Sequence, residues 1–501
     1  MLGRLPKTDL VQALFLECVA AQNAFFRHAS TLEQDAILRG FIRNELIKEA
    51  TRLTDIVYLP DTVLPRLYLA GYRFLCDGNY QSAKDCFFES LEQDPSDNFA
   101  AMGLRFALPR TGKPMDAILE IRGKIGYGTR SFGRTGISTQ GTTPLAELTS
   151  AFLMTGKYVE GLSTKRLQWA SLKQHFGSKF LNYEPFPIDK QNSSLFVIGD
   201  DGVGDEIRAA QFYGQLVGKF KRIIISCDPR LANLFSVSFP SITFVPVSRR
   251  RKGLQTPIAS NAPRLYGFTQ KVADILTEEC RPLLQSADLI TLSQGLFYNF
   301  FAGHIKKPDP GPYLLSPKGR RLPNSANLRV GLLWRSHFSS TWRKLMYLSI
   351  QDFVPILALP GIEFWSIQHE IDEQERQFCR QHNIQLIEDV DLFNDFDGLA
   401  TYLTSMDLLI GISSVPIELG AALGVPVWLL GFSPENYWLR TAGGLDEYDR
   451  FTMNSIVIGP SSKDFSASRD TCCLEVFSEV RRRLENYRNS RGVMNTLVAT
   501  G

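Results

Sequence analysis

The sequence predicts an N-terminal array of helical hairpins followed by two α/β domains with parallel sheets. Three observations support this fold class. A helical repeat of about 34 residues starts near residue 64. Apolar strands alternate with helical segments after residue 182, and two of these strands lead through Gly-rich turns into helices. At 501 residues, with 44% hydrophobic and 21% charged, the chain has the length of about three globular domains.

The N-terminal part is predicted to be helical throughout. A helical cap is expected over residues 1–63, where apolar residues recur at helical spacing. TPR-like helical repeats are expected over 64–182, because the first repeat resembles the tetratricopeptide pattern, whose small and aromatic positions let two antiparallel helices pack closely. The matching positions are Leu67, Gly71, Phe74, Ala83, Phe87 and Pro95.

Two further hairpins are predicted after the first. A degenerate copy spans about 98–124, and the Gly-, Ser- and Thr-rich segment Gly123–Thr143 is predicted to be a flexible loop. A third hairpin has Gly156-Lys157-Tyr158 at its turn. Three hairpins are about the minimum for a stable stack. An array of this kind would serve to hold another protein.

The remaining domains follow from the alternation of strands and helices, which is typical of parallel sheets. The first Rossmann-like α/β domain is predicted over 183–305, and a Pro- and Gly-rich linker over 306–328. The second Rossmann-like domain is predicted over 329–488, with its last helix at Leu474–Tyr487, and a disordered tail over 489–501. Two such domains would face each other across a cleft at the carboxyl ends of their strands.

The composition argues against several classes of function. A formal net charge of +3, from 55 basic and 52 acidic residues, gives no general basis for nucleic-acid binding. The basic run Arg249–Lys252 is interpreted as a solvated loop. The eight cysteines form no CxxC pair and no Cys/His ligand spacing, so neither structural zinc nor a redox dithiol is expected. These features fit a reducing cytoplasm.

The first residues do not resemble an export signal or a membrane anchor. Their apolar run is interrupted by Gln12 and Glu17, is too short to span a bilayer, and has no A-x-A-like cleavage site. We therefore expect a cytoplasmic protein with no membrane span.

The segment Asp407–Trp428 runs from an apolar strand through a Gly/Ser turn into a helix. Ser413 and Ser414 suit a helix start, and the amides at Ser413, Ser414 and Val415 would form an anion site for a diphosphate, with no metal required. Glu418, in the first helical turn, would repel a phosphate, so it would either hold sugar or ribose hydroxyls or serve the helix end. A plain capped helix is the alternative interpretation.

The corresponding segment of the first domain is Gly199–Ile207, which is crowded with acidic residues. Gly202 and Gly204 allow a tight turn and close backbone approach. Because so much acid disfavours phosphate, we expect an acceptor site here, with Asp205 as the carboxylate that takes a proton from an attacking hydroxyl. The alternative is that Asp205 only caps the helix.

The loop after the first strand of the second domain carries several basic residues. Arg335, Arg343 and Lys344 could neutralise a leaving diphosphate, and His337 is a second candidate base. Their position after a strand that faces the cleft favours a phosphate role.

These motifs, in this order, resemble the heptosyltransferase-like branch of GT-B glycosyltransferases, in the form linked to tetratricopeptide repeats and related to O-GlcNAc transferase and flagellin glycosyltransferases. The resemblance covers most of residues 64–460. It rests on GVGDEI at 202–207, RVGLLWRS at 329–336 and DLLIGISSVPIELGAALGVPVW at 407–428. It implies a nucleotide-sugar bound around Ser413–Gly420, an acceptor near Gly204 and Asp205, and inverting transfer without a metal or other cofactor.

The function predicted on these grounds is transfer of a sugar from a nucleotide-sugar to a Ser or Thr hydroxyl of a protein, flagellin being the acceptor that the family suggests. The TPR-like repeats would select that protein. One alternative is the same chemistry on a lipopolysaccharide or capsule glycan. Another is an inactive scaffold, because Ser413-Ser414 and Glu418 stand where the family usually has Asp-Thr and His.

Overall fold

The structure, a computed structural model, describes residues 64–94, 97–112, 143–187, 191–248, 263–319, 322–337 and 343–499, with residues 30, 33–34 and 37–38. It divides into two compact units. One holds the described residues up to Ala151 with residues 343–345, and the other holds residues 152–337 and 346–499. Most of the predicted cap, the loop at 123–142, the second half of the degenerate hairpin and the run Arg249–Lys252 lie outside the described residues.

The first unit contains a helical hairpin at the position of the predicted repeat. Its helices are α1 (Leu64–Cys76), α2 (Tyr80–Gln93) and α3 (Asn98–Thr111). A Cβ atom added to Gly71 or to Gly103 would lie 2.7 or 2.5 Å from the Phe87 ring, so the two glycines make room for this ring between neighbouring helices. The hairpin at 64–93 is therefore present, and the repeat array as a whole stays a prediction.

The third predicted hairpin is divided between the two units. Its helices are α4 (Thr143–Met154) and α5 (Tyr158–Thr164), and the chain from Phe152 onwards groups with the sheets. The Tyr158 ring stacks on Phe301 at 4.1 Å between centroids and meets the edge of Phe451 at 5.3 Å. This aromatic packing places the boundary of the helical unit before Phe152, rather than after residue 182 as predicted.

Two parallel sheets form the centre of the second unit. The first sheet has the strand order β1-β5-β2-β3-β4, and the second has the order β11-β10-β9-β6-β7-β8. The strands of the first sheet are β1 (Phe180–Leu181), β2 (Ser194–Ile198), β3 (Arg222–Cys227), β4 (Thr243–Pro246) and β5 (Leu289–Leu292). Those of the second are β6 (Leu328–Leu333), β7 (Ile362–Ser366), β8 (Gln385–Leu386), β9 (Leu408–Gly411), β10 (Val427–Leu430) and β11 (Ser455–Ile458).

Helices connect the strands, as parallel pairing requires. The helices around the first sheet are α6 (Ala170–Phe176), α7 (Val203–Ala209), α8 (Tyr213–Leu216), α9 (Ala232–Ser238), α10 (Gln270–Ala273), α11 (Arg281–Ser286) and α12 (Ser293–Phe301). Those around the second are α13 (Val354–Leu357), α14 (Glu373–Gln381), α15 (Phe396–Leu403), α16 (Val415–Ala422), α17 (Pro434–Arg440) and α18 (Arg469–Ala499). Short 3-10 helices lie at Lys165–Trp169, Gly177–Lys179, Ala210–Phe212, Pro229–Leu231, Glu278–Cys280, Arg343–Met346 and Ile350–Phe353.

The apolar strand runs form the buried core. Strand β2 from Leu195 to Ile198 and strand β9 from Leu408 to Ile410 are fully buried. Continuous apolar runs of this kind are expected where helices cover both faces of a parallel sheet. The two predicted sheets are therefore confirmed as mixed α/β layers.

The segment predicted as a linker is anchored by hydrogen bonds, and the last helix runs into the predicted tail. The amides of Tyr313 and Leu314 donate to the Ala422 carbonyl at 2.9 and 3.0 Å, so the Pro-rich segment is anchored to α16. The last helix extends to Ala499, through residues predicted to be a disordered tail. In the described part of the chain no helix is long and apolar enough to cross a membrane.

Candidate functional site

The Gly-rich turns of the two sheets meet each other. Helix α7 packs against helix α16. A Cβ atom added to Gly204, in the first turn of α7, would lie 3.5 Å from Cγ of Glu418 in α16. The structure thus brings the predicted acceptor turn and the predicted donor helix into direct contact.

Asp205 is held at the start of α7 by three groups. Its Oδ2 accepts a hydrogen bond from the Gly202 amide at 2.9 Å, its Oδ1 is ion-paired with Arg208, and the Gln294 side-chain amide lies 3.4 Å from Oδ1. Asp205 therefore caps the start of α7, as in the alternative interpretation. Its role as a base stays a prediction.

Asp200, at the end of β2, is a buried carboxylate beside that turn. It accepts hydrogen bonds from Oγ of Ser293 at 2.5 Å and from the Gln294 amide at 3.0 Å. Burial, with the neighbouring Asp201, raises the pKa of Asp200 to about 6. Lys165 pairs with Asp201 at 2.9 Å, which places a cation beside the two acids.

The Glu418 side chain lies in a buried ion network. Its Oε1 is 2.5 Å from Arg440 and accepts from Oγ of Ser413 at 2.9 Å, and its Oε2 accepts from Oγ1 of Thr452 at 2.6 Å. Arg440 also binds Asp449 at 2.6 Å. Burial is the largest influence and acts to raise the pKa of Glu418, but the charges of Arg440 and Arg208 together with the hydrogen bonds from Arg440 and Thr452 lower it to about 2.

This network engages Ser413 and Glu418 with protein groups, and their roles in donor binding stay predictions. The Ser413 hydroxyl binds both Glu418 and Arg440, and both Glu418 oxygens have protein partners. Ser414 is the residue before α16, with extended backbone and no side-chain capping bond. An anion site at this helix start would therefore depend on the backbone amides near Ser414 and Val415.

A cavity of about 610 Å³ lies at the carboxyl ends of strands β6, β7 and β8. It is next to the switch point of the second sheet, because β7 and β9 lie on opposite sides of β6. Its wall combines apolar side chains with several charged or polar ones. The lining residues are His337, Gln368, His369, Glu370, Ile371, Arg376, Leu386, Ile387, Val390, Asp391, Leu392, Phe393 and Asn394.

Two histidines and a glutamate converge in this cavity. Nδ1 of His337 is 3.3 Å from Oε2 of Glu370. The rings of His337 and His369 are 5.3 Å apart between centroids, and the Phe393 ring lies 4.6 Å from that of His337. Burial, with the nearby cations, lowers the pKa of His369 to about 4, so this imidazole is neutral at pH 7.

The predicted phosphate cation Arg335 is fixed by protein groups. It forms an ion pair with Glu375, which also accepts from the Trp334 indole at 2.8 Å, and it donates to the Glu370 carbonyl at 2.5 Å. The structure instead places Arg376 in the cavity wall, paired with Glu388 at 3.3 Å near the surface. Arg376 is therefore a further candidate cation for a ligand in the cavity, and the phosphate role of Arg335 stays a prediction.

Arg343 and Lys344 lie in the 3-10 helix Arg343–Met346, in the short segment that groups with the helical unit. The structure does not group them with His337 and Arg335, which belong to the sheet unit. Their phosphate roles stay predictions.

One wall of the cavity is tied to the first sheet. Arg230 donates to the Phe393 carbonyl at 2.9 Å, and its guanidinium lies 5.0 Å from the centre of the Phe393 ring. Asp228 holds the same guanidinium at 2.9 Å. The Phe393 loop is therefore positioned by residues that follow β3 of the first sheet.

Several cavity residues were missed from the sequence. His369 and Glu370 follow the apolar strand β7, and Arg376 lies in the helix α14 that comes after it. The available signal was their position after a parallel strand of the second domain, where ligands usually bind. Phe393 had no comparable signal, since it lies seven residues beyond the short strand β8 (Gln385–Leu386).

Comparisons with known proteins give remote likenesses. No protein-family model matches the chain. Protein FlbA of Caulobacter vibrioides is 24% identical over 256 residues, which is 48% of this chain and 40% of FlbA. The matched part is thus less than half of either protein.

Three solved structures are remotely similar to this chain. Escherichia coli heptosyltransferase WaaC with ADP-2-deoxy-2-fluoro heptose is 13% identical, covers 59% of this chain and 99% of its own, and has a TM-score of 0.32. A family 9 glycosyl transferase from Veillonella parvula is 14% identical over 59% of this chain and 100% of its own, with a TM-score of 0.34. An O-GlcNAc transferase mutant from Thermobaculum terrenum is 14% identical over 94% of both chains, with a TM-score of 0.25. Likenesses this remote carry no conclusion about the activity of this chain.

Proposed function

We propose that this protein is a glycosyltransferase that transfers a sugar from a nucleotide-sugar to a Ser or Thr hydroxyl of a protein. The observation that carries the proposal is the cavity at the carboxyl ends of β6, β7 and β8, beside the switch point of a parallel sheet. Its mixed lining suits a nucleotide. Apolar side chains can pack on the base, carboxylate oxygens can accept hydrogen bonds from the ribose hydroxyls, and a cation can pair with phosphate.

The parts of the cavity would have separate roles in donor binding. Phe393 and Leu392 offer an apolar surface on which a nucleoside base can pack. Asp391 offers carboxylate oxygens to ribose hydroxyls, and hydrogen bonds from Asn394 lower its pKa, so it is ionised at pH 7. Arg376 would neutralise part of the diphosphate charge.

The chemical step would take place where α7 meets α16. Amides near Ser414 and Val415 would stabilise the leaving diphosphate, since a helix start favours an anion. Asp205 is the better placed of the two predicted bases, because its helix packs directly on α16. It would take the proton from the attacking acceptor hydroxyl as the C–O bond to the diphosphate breaks, which inverts the sugar carbon in a single displacement.

The helical unit would bind the protein that carries the acceptor hydroxyl. Its support is the repeat pattern and the hairpin formed by α1 and α2, with Phe87 packed at Gly71. Flagellin is the first acceptor to test, on the family resemblance alone. The lipopolysaccharide or capsule alternative would leave the same donor site and change only the acceptor.

A second candidate is a scaffold that binds a nucleotide without transferring sugar. The observation that favours it is the internal pairing of both turn carboxylates, Asp205 with Arg208 and Glu418 with Arg440. Carboxylate oxygens held by a protein cation in this way are not open to an acceptor hydroxyl. The two candidates differ in turnover and agree in nucleotide binding.

The test is an intact-mass assay of purified flagellin incubated with the full chain and UDP-, GDP-, ADP- or CMP-sugars. We expect a mass increase equal to one or more sugar residues with one class of donor. The Asp205→Asn variant should lose at least about 100-fold in rate, the usual contribution of a general base. Asp470→Asn, whose carboxylate is 87% exposed, is the matched control and should keep the wild-type rate.

Three results would redirect the proposal. Full activity in Asp205→Asn would remove Asp205 from the base role. Release of nucleotide without a change in flagellin mass would favour another acceptor, such as a glycan. Nucleotide binding with no release from any donor would favour the scaffold.

A further inference from the structure

We propose that His337, His369 and Glu370 form a binding site for a divalent transition-metal ion such as Zn²⁺. One ligand atom from each of the three residues lies within 4.8 Å of the other two. Two imidazoles and one carboxylate are a donor set that Zn²⁺ and other first-row metals bind in proteins. The three residues come from two loops that follow adjacent parallel strands, β6 and β7.

The spacing is close to what a metal ion requires. With bonds of about 2.1 Å, two ligands of a tetrahedral ion lie about 3.4 Å apart. Nδ1 of His337 and Oε2 of Glu370 are already 3.3 Å apart. Rotation of the His369 ring about its own side-chain bonds would bring the third ligand into the same range.

Unpartnered nitrogen atoms give an independent reason for a ligand at this position. Nδ1 of His337 and Nε2 of His369 are buried atoms with no hydrogen-bond partner among the described residues. The contact of His337 with Glu370 is short enough for a hydrogen bond but lacks its geometry. Buried polar atoms are normally satisfied, and a bound ion would satisfy both nitrogens at once.

The surroundings permit a cation although several arginines are close. Arg335 is paired with Glu375, Arg230 with Asp228, and Arg376 with Glu388. Their positive charges are therefore balanced by neighbouring carboxylates. Glu370, with a side chain that is 70% exposed, supplies the negative charge at the site itself.

The site would leave coordination positions open toward the cavity. Three protein ligands are the number found in catalytic zinc sites, where the remaining positions take water or substrate oxygen. The ligand is thus a divalent metal ion, and its remaining coordination positions would take water or an oxygen atom of a molecule bound in the cavity. This inference departs from the sequence expectation of no metal, and it does not depend on the proposed transfer reaction.

The experiment is a calorimetric titration of the full chain with ZnCl₂ alone, after treatment with a chelator and desalting. We expect one tight Zn²⁺ ion per chain. His337→Ala and His369→Ala should each weaken the affinity at least tenfold, because each removes one of three ligands. Glu370→Gln should also weaken it, and this exposed residue can change without disturbing the fold.

Two histidines elsewhere in the sheet unit serve as matched controls. His304→Ala and His382→Ala should bind Zn²⁺ as the wild type does, since His304 is exposed and His382 packs on Phe378 at the end of α14. Circular dichroism of every variant checks that it is folded. Wild-type affinity in His369→Ala and Glu370→Gln, or no Zn²⁺ binding by the wild type, would overturn the inference.

Discussion

In each of the two sheets, a parallel strand leads through a small-residue turn into a helix. The buried carboxylates at these two turns have opposite pKa shifts. At the first turn, burial and the neighbouring Asp201 raise the pKa of Asp200 to about 6. At the second, burial acts to raise the pKa of Glu418, but Arg440, Arg208 and hydrogen bonds together lower it to about 2. The sequence of such a motif therefore does not show whether its buried carboxylate has a raised or a lowered pKa.

The two Gly-rich turns are also distinct from the cavity. Both turns are used for packing, since Gly204 of α7 lies against Glu418 of α16. The cavity described above lies instead beyond β6, β7 and β8, and of its loops only the one with His337 follows a recognised motif, RVGLLWRS. The strongest sequence patterns in this chain thus mark a contact between elements, and the space for a ligand lies beside them.

The largest expected effect on stability comes from breaking the buried ion network around Glu418. Arg440→Ala would leave Glu418 and Asp449 buried without their common cation. We expect a loss of about 3–5 kcal/mol in the free energy of unfolding, the range for removal of one partner of a buried ion pair. Urea denaturation measures it. Arg482→Ala, which breaks an exposed pair with Glu479, should change stability by less than about 1 kcal/mol.

The opposite pKa shifts predict opposite responses to pH. The Asp200 carboxyl has a folded pKa of about 6, above its usual value, so its contribution to stability falls as the pH rises from about 4 to about 6. Asp200→Asn does not titrate, so its stability relative to the wild type should increase over that interval. The Glu418 carboxyl has a folded pKa of about 2, below its usual value, so its contribution is present above pH 4.5 and is lost as the pH falls toward 2.

Thermal unfolding across pH measures both differences. The deficit of Glu418→Gln relative to the wild type should shrink as the pH is lowered from 6 to 3. Parallel pH profiles for the wild type and the two variants would show that neither carboxyl is perturbed and would remove the contrast between the turns.

The glycines of the two turns give a smaller contrast. A Cβ atom on Gly411, at the end of β9, would collide with the backbone carbonyl of Leu333, which cannot move aside easily. We expect Gly411→Ala to cost about 1–3 kcal/mol. Gly204→Ala makes only an ordinary contact with Glu418, so we expect a change below about 1 kcal/mol. Equal effects on the unfolding free energy would contradict the packing described for the second turn.

The strands of both sheets were predictable because each is a short apolar run bounded by polar turns, as in RIIISC and DLLIG. Helix α16 at Val415–Ala422 follows the Gly/Ser turn as predicted, and Pro416 suits its first turn. The partner of Glu418 could not be predicted, because Arg440 lies 22 residues away and on another helix. Local patterns specify elements, whereas ion pairs depend on how the elements pack.

The cavity was only partly predictable for a related reason. Its position at strand ends follows from the parallel topology, which the sequence indicated. Its composition depends on three loops that meet only in the fold, so His337 was recognised and His369, Arg376 and Phe393 were not. The boundary before Phe152 was also missed, because it depends on Tyr158 stacking on a distant ring.

The most direct test of the central claim is calorimetric titration of the full chain with UDP, GDP, ADP and CMP. We predict that one of these nucleotides binds at the cavity beyond β6, β7 and β8. Arg376→Ala and Phe393→Ala should each weaken that binding at least tenfold, while Arg482→Ala, a change on the exposed face of α18, should not. Failure of all four nucleotides to bind, or wild-type affinity in both cavity variants, would contradict the assignment of this cavity as the donor site.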